Sequence, residues 1–215
     1  MDTAKLVALL ARTPQKLPDI YGIGLAQGPR LPLIQIPTTA GTGSEVTPIS
    51  ILTTPSQKKK GVVSPLLYPD IALLDSLLTL GLPPAITAMT GVDAMVHAIE
   101  AFTSRHKKNP LSDALAIQAL QLLYANLPAA VQDEQSGRDP DVRERMLQGA
   151  LFAGMAFANA PVGAVHALAY PLGGHHHLPH GLSNSLVLLP VLQFNLPTAA
   201  PLYAQLGRAI LPDLA

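Results

Sequence analysis

Cysteine is absent from the 215 residues, so disulfides and thiolate metal sites are excluded, and any bound metal must rest on oxygen and nitrogen donors. Charge is also scarce: Asp, Glu, Lys and Arg make up 13% of the chain, and 14 basic residues balance 14 acidic ones. The largest basic block is Lys58, Lys59 and Lys60, too small to recommend nucleic acid or an anionic membrane as the main partner. Aromatics are few, and no apolar run reads as long enough for a membrane span. The opening MDTAKLVALLART carries Asp2, Lys5 and Arg12 within its apolar stripe, which suits an amphipathic helix better than a signal peptide. The expected compartment is the cytoplasm. What the chain has in quantity is apolar residues, 48% of the total, with alanine, leucine and proline prominent. This is the composition of a helix-rich enzyme domain or of half of one.

The first half reads as α/β. Residues 1–12 predict a helix with Leu6, Val7, Leu9 and Leu10 on its apolar face. Residues 31–37, LPLIQIP, predict a buried strand that leads into the small polar run TTAGTGSEVT at 38–47. Such strand-to-loop junctions let backbone N–H groups and hydroxyls approach phosphate oxygens, although an ordinary turn uses the same residues. Residues 49–53 and 61–63 predict a hairpin around a polar connection at 54–60, with Lys58 and Lys59 at a solvated tip and Lys60 able to face inward. Residues 70–75 predict another buried strand.

Past residue 80 the pattern turns helical, so the expected division is 1–80 and 81–215. After Gly91 breaks the pattern, residues 92–104 carry apolar positions at helical spacing. Asn109 with Pro110 opens a helix through residue 123, and Asp139 with Pro140 opens another. Gly149, Ala150, Ala153 and Gly154 in the latter predict close approach of a second backbone. A further apolar helix covers 182–194.

The sequence GVDAMVHAIEAF at 91–102 places Asp93 and His97 one helical turn apart on one face. Alone, that pair also describes a solvated aspartate and a core-edge histidine. Five of the seven histidines, however, lie between His166 and His180. Asp93, His97, His166 and His180 together make one carboxylate and three imidazoles, a set that suits Fe²⁺ or Zn²⁺ and leaves a position for a substrate oxygen.

Three motifs carry a family resemblance: PTTAGTGSEVT at 37–47, GVDAMVHAIEAF at 91–102, and H-x3-Y-P-L-G-G-x5-H-G from His166 to Gly181. In order and spacing they resemble the iron-containing, or group III, alcohol dehydrogenases. The resemblance implies a metal-dependent alcohol dehydrogenase or aldehyde reductase using NAD or NADP on a small alcohol or aldehyde. It also implies an α/β remnant of a dinucleotide-binding domain followed by an all-α metal-binding domain, as in dehydroquinate synthase, with the active site in the cleft between them. A homo-oligomer is a permitted state. Asp93, His97, His166 and His180 fall on the family's metal-ligand positions. Thr38, Thr39, Gly41, Thr42 and Thr47 fall in its nicotinamide-dinucleotide loop, and Lys60 falls on a nearby cofactor-side position.

Two departures stand out. Tyr170 occupies a position where the family usually carries a histidine that assists proton transfer, and a phenol with its ordinary pKa near 10 relays protons poorly at neutral pH. Tyr170 is the candidate catalytic residue, with His175, His176 and His177 as a substitute relay. The MDTAK start also resembles the helix that follows the family's Gly-rich phosphate loop, so the first strands and that loop are expected to be missing, with the C-terminal helices cut short as well. The alternative reading is a non-catalytic metal-binding helical fragment without useful cofactor affinity; a lyase-like or transhydrogenase relative would use the same ligands.

Overall fold

The computed structural model describes residues 1–56, 58–132 and 138–211. The chain divides into two compact units, Met1–Pro37 with Ser44–Leu74, and Thr38–Gly43 with Asp75–Ala215. The first is a small α/β unit and the second is mostly helical. Residue 57 in the hairpin connection and residues 212–215, where the C-terminal helices were expected to stop short, lie outside the described residues.

In the first unit, α1 (Asp2–Leu10) buries Leu6 and Leu9 against Ile20, Val62 and Leu67. Its inner stripe differs from the expected one: Val7 is 59% exposed, and Lys5 is fully buried. Lys5 and Leu9 lie one turn apart, with Leu6 beside them, whereas Val7 points out of that stripe. The buried ammonium is supplied with acceptors: Lys5 Nζ donates to Thr47 O at 2.8 Å, Thr47 Oγ1 at 3.2 Å and Ile49 O at 2.8 Å. Burial nevertheless pushes its pKa down to about 8.

The expected hairpin forms from β3 (Ile49–Thr53) and β4 (Lys59–Val63), antiparallel with Ile49 opposite Val63. Strand β1 (Gly22–Ile23) joins β4 in parallel, giving the order β1-β4-β3. Lys60 corrects one expectation: it is exposed, with Nζ 5.0 Å from the Tyr21 ring centroid, a cation–π contact.

The two buried strands expected at 31–37 and 70–75 shrink to β2 (Ile34–Gln35) and β5 (Ile71–Ala72), paired in parallel. Burial along the first alternates: Leu33, Gln35 and Pro37 face inward, while Ile34 and Ile36 are exposed. An apolar run thus conceals a strand with one buried face, because side chains alternate with period two. Arg30 clips the pair by donating from Nη1 to Asp70 Oδ2 at 2.7 Å and from Nη2 to Asp70 Oδ1 at 2.9 Å, while Asp70 Oδ2 also accepts from Leu33 N–H at 2.7 Å. These donors hold the exposed Asp70 carboxyl down at about 2, the Arg30 hydrogen bonds first among them.

The second unit contains α2 (Pro84–Thr103), α3 (Pro110–Gln132), α4 (Pro140–Asn159), α5 (Ala164–His175) and α6 (His180–Ile210). Several run longer than the sequence signals suggested. Helix α2 continues through Gly91, whose bare backbone lets α3 approach: a Cβ there would lie 2.6 Å from Leu127 Cδ1. Asn109 caps α3 by accepting from Leu111 and Ser112 N–H, and Asp139 caps α4 by accepting from Asp141 N–H. Helix α6 passes Pro190, Pro197 and Pro201 instead of ending at residue 194. Those prolines free the carbonyls of Leu186, Gln193 and Pro197, all at exposed residues where water can satisfy them.

Among the described residues two helices, α3 and α6, are long and apolar enough by length and composition to cross a membrane, which corrects the reading that no such run exists. The sequence reading missed them because prolines and amides interrupt both runs. In α3, Ala116, Ala119, Leu120 and Leu123 are buried, and the helix packs against α2 and α4. In α6, Leu186, Leu189, Phe194 and Leu196 are exposed.

Candidate metal centre

Three helices of the second unit deliver the ionisable cluster. The α2 face that buries Val96 also buries Asp93, His97 and Glu100, while α5 contributes His166 and the first turn of α6 contributes His180. A small core of Val96, Val165 and Val191, one residue from each helix, fixes their mutual approach. Gly181 lets α6 sit directly on α2, since a Cβ there would fall 2.1 Å from Met89 O.

Ligand atoms of Asp93, His166 and His180 all lie within 4.8 Å of one another. Asp93 Oδ1 is 3.8 Å from His166 Nε2 and 3.6 Å from His180 Nε2. His97 joins the group through His166, their Nε2 atoms standing 2.9 Å apart and their rings stacked. Four ligands around a divalent ion with bonds of about 2.0–2.1 Å would stand roughly 3.4 Å from each other, and the observed separations bracket that value.

The donor chemistry also fits a cation. Burial holds the His97 imidazole down to about 4, so its ring is neutral at pH 7, the form that ligates metals. Phe157 stacks on its other side, at 4.5 Å between centroids, and His97 Nδ1 is buried without a hydrogen-bond partner among the described residues. His166 Nδ1 lies 2.6 Å from Glu100 Oε2, so the ring proton sits there and Nε2 presents a lone pair toward the other three groups.

Two contributors were missed by sequence reasoning. Glu100 is 6% exposed; burial pushes its carboxyl up, but hydrogen bonds from His166 and from the Gly163 and Val165 backbone outweigh that and carry it below its ordinary value. Asn184 is fully buried, and its Nδ2 donates to Asp93 Oδ1 at 2.5 Å while lying 3.2 Å from His166 Nε2 and 3.4 Å from His180 Nε2. Its Oδ1 is buried without a hydrogen-bond partner among the described residues. The signal was periodic: Glu100 follows His97 by three residues and Asn184 follows His180 by four.

Tyr170 lies one turn past His166 on α5, 38% exposed, with its ring 6.1 Å from that of His180 and nearly parallel to it. His180 is the more open member of the cluster, its side chain 38% exposed against 3% for Asp93 and 4% for His166. The cluster therefore meets solvent on the side of His180 and Tyr170. His175, His176 and His177 are exposed at the C-terminal end of α5.

The small polar run is shared between the units. In the second, Thr38 and Thr42 are exposed, Thr39 is half-buried and Gly41 is buried. Gly43 turns with φ +57°, and a Cβ on it would lie 2.5 Å from Gly154 Cα, the close backbone approach that the small residues of α4 predicted. In the first, Thr47 is 2% exposed, with its hydroxyl donating to Ser44 O and accepting from Lys5. Thr47 thus holds the run to α1 through its hydroxyl and its carbonyl. Glu45 beside it is buried, with Oε2 lacking a hydrogen-bond partner among the described residues and its carboxyl pushed up by burial.

Two family models account for most of the chain: one described as iron-containing alcohol dehydrogenase matches residues 1–76, and one described as the Fe-containing alcohol dehydrogenase family, C-terminal, matches residues 87–213. A protein named probable alcohol dehydrogenase EutG, from Escherichia coli strain K12, is 43% identical over 212 residues, covering 98% of this chain and 52% of that one. The crystal structure of 1,3-propanediol oxidoreductase superposes with a TM-score of 0.92 at 38% identity, covering 98% of this chain and 54% of that chain. Sulfoacetaldehyde reductase from Bifidobacterium kashiwanohense, solved in complex with NAD⁺, gives a TM-score of 0.83 at 33% identity, with 98% and 60% covered. The chain spans about half the length of the curated relatives it matches. The motifs, the helical unit that carries the cluster, and these matches agree: the chain belongs to the iron-containing alcohol dehydrogenase family.

Proposed function

We propose that this chain carries the metal centre of a NAD(P)-linked alcohol dehydrogenase or aldehyde reductase, with Fe²⁺ as the first candidate ion and Zn²⁺ as the second. The observation that carries the reading is the convergence of Asp93, His97, His166 and His180 from three helices. A divalent ion held there supplies Lewis-acid stabilisation of the negative charge that develops on a substrate oxygen. Asp93 contributes the anionic ligand and the three imidazoles the neutral ones. The side of His180 and Tyr170, where the cluster meets solvent, would admit the substrate, and a nicotinamide bound next to it would supply the hydride chemistry.

For the cofactor, exposed Thr38 and Thr42, half-buried Thr39 and the Gly41 backbone are the contacts, while Thr47 holds the run from within and Lys60 stays at the surface. NAD is favoured because the sulfoacetaldehyde reductase neighbour was solved with NAD⁺. The test is NADH titration of the Fe²⁺- or Zn²⁺-loaded chain, followed by NADH oxidation with a small aldehyde such as propanal. Saturable binding and aldehyde-dependent oxidation are expected, and Asp93→Asn is expected to abolish the oxidation. Metal-loaded protein that binds no nicotinamide nucleotide would make the chain a non-catalytic metal-binding fragment.

A further inference from the structure

We propose that Glu100 is a positioning residue of this centre: its carboxylate fixes the tautomer and ring orientation of His166, so that Nε2 of His166 faces the cation. The inference rests on the metal-binding reading above and adds to it a residue outside the ligand set.

Both carboxylate oxygens of Glu100 are engaged by adjacent residues at the start of α5. Oε2 accepts from His166 Nδ1 at 2.6 Å, and Oε1 accepts from the Val165 backbone N–H at 2.7 Å. Val165 lies in the first turn of α5, where backbone N–H groups lack intrahelical acceptors, so the carboxylate also satisfies the end of the helix that presents the ligand. Rotation of Glu100 would leave one buried donor unpaired, which locks the side chain. Gly163 makes room for it: a Cβ there would stand 3.2 Å from Oε1.

His166 is the member of the cluster where an orientation error would spread furthest. Its Nε2 stands 2.9 Å from His97 Nε2, 3.8 Å from Asp93 Oδ1 and 3.2 Å from Asn184 Nδ2. With the proton held on Nδ1 by a carboxylate, Nε2 is an acceptor only, and its basicity as a ligand rises. Glutamine cannot substitute. It offers one acceptor oxygen where two donors need one each, so either Val165 N–H or His166 Nδ1–H would face an amide NH₂. Aspartate keeps two acceptors but is shorter by one methylene.

The experiment compares Zn²⁺ affinity of the full chain and its Glu100→Gln variant by chelator competition, with the NMR signals of the His166 ring nitrogens in the Zn²⁺-loaded wild type. The expected results are 10- to 100-fold weaker binding by Glu100→Gln, and in the wild type a proton on Nδ1 with none on Nε2. Equal affinity within about twofold, or a wild-type His166 without an Nδ1 proton, overturns the role of Glu100 and leaves the metal reading standing. Wild type that binds no Zn²⁺ removes the metal reading itself. If Glu100→Gln does not fold, the wild-type ring signals decide.

Discussion

Tyr170, the candidate catalytic side chain, lies beside His180 where the cluster meets solvent. A phenol ordinarily titrates at about 10 and an imidazole at about 6.5, so the two side-chain types differ as proton relays at neutral pH. Tyr170 is thus the side chain to test for proton transfer. Replacing it with phenylalanine removes the hydroxyl and keeps the ring against His180. The expected outcome is a fall in aldehyde-reducing kcat of about 10²-fold with a changed pH profile, measured under saturating NADH between pH 6 and 10. An unaltered profile would take Tyr170 out of proton transfer and direct attention to His175, His176 and His177.

At the level of elements, the small-residue turn and the helices it packs on carry the tightest constraint. Gly43 combines a left-handed backbone, φ +57°, with backbone contact on α4, so two independent penalties fall on any side chain there. Gly43→Ala should cost about 2–4 kcal/mol, roughly 1–2 from the backbone and 1–2 from overpacking, read as a lower urea midpoint. A loss under 0.5 kcal/mol would mean that the turn relaxes off α4. The same steric logic explains why α4 is built from Gly149, Ala150, Ala153 and Gly154: it lies against α3 on one side and against Gly43 on another.

For the molecule as a whole, the cluster ties together helices far apart in the sequence, from Asp93 on α2 to His180 on α6. An ion bound there would stabilise the folded state by as much as it binds that state more tightly than the unfolded chain, whose His175, His176 and His177 offer imidazoles of their own, so affinity and folding are linked. At a free Zn²⁺ concentration of about 100 times Kd the added stability is at most about 2.7 kcal/mol, the value reached when the unfolded chain binds no ion. The Tm of the chain should therefore rise with Zn²⁺ and fall back when EDTA is added. His180→Ala should blunt that rise while leaving the metal-free Tm nearly unchanged, because His180 is half-exposed and its loss opens no deep cavity. A Tm indifferent to Zn²⁺ in the wild type would argue that the four groups do not bind an ion in solution.

Local chemistry was legible in the chain alone. The i, i+4 spacing of Asp93 and His97, the caps at Asn109 and Asp139, the hairpin, and the close packing foretold by the small residues of α4 all depend on neighbours within a turn or two, which sequence displays directly. Element ends were less legible: Pro128 and Pro197 look like stops until the bundle and exposed carbonyls accommodate them. Only the tertiary structure turned Lys5 inward to three acceptors and Val7 outward, because the Thr47 and Ile49 carbonyls that receive the ammonium are more than forty residues away. It likewise brought Glu100 to His166 across 66 residues and Asn184 to Asp93 across 91. Periodicity says which face of a helix a residue occupies, but only packing says what meets it there.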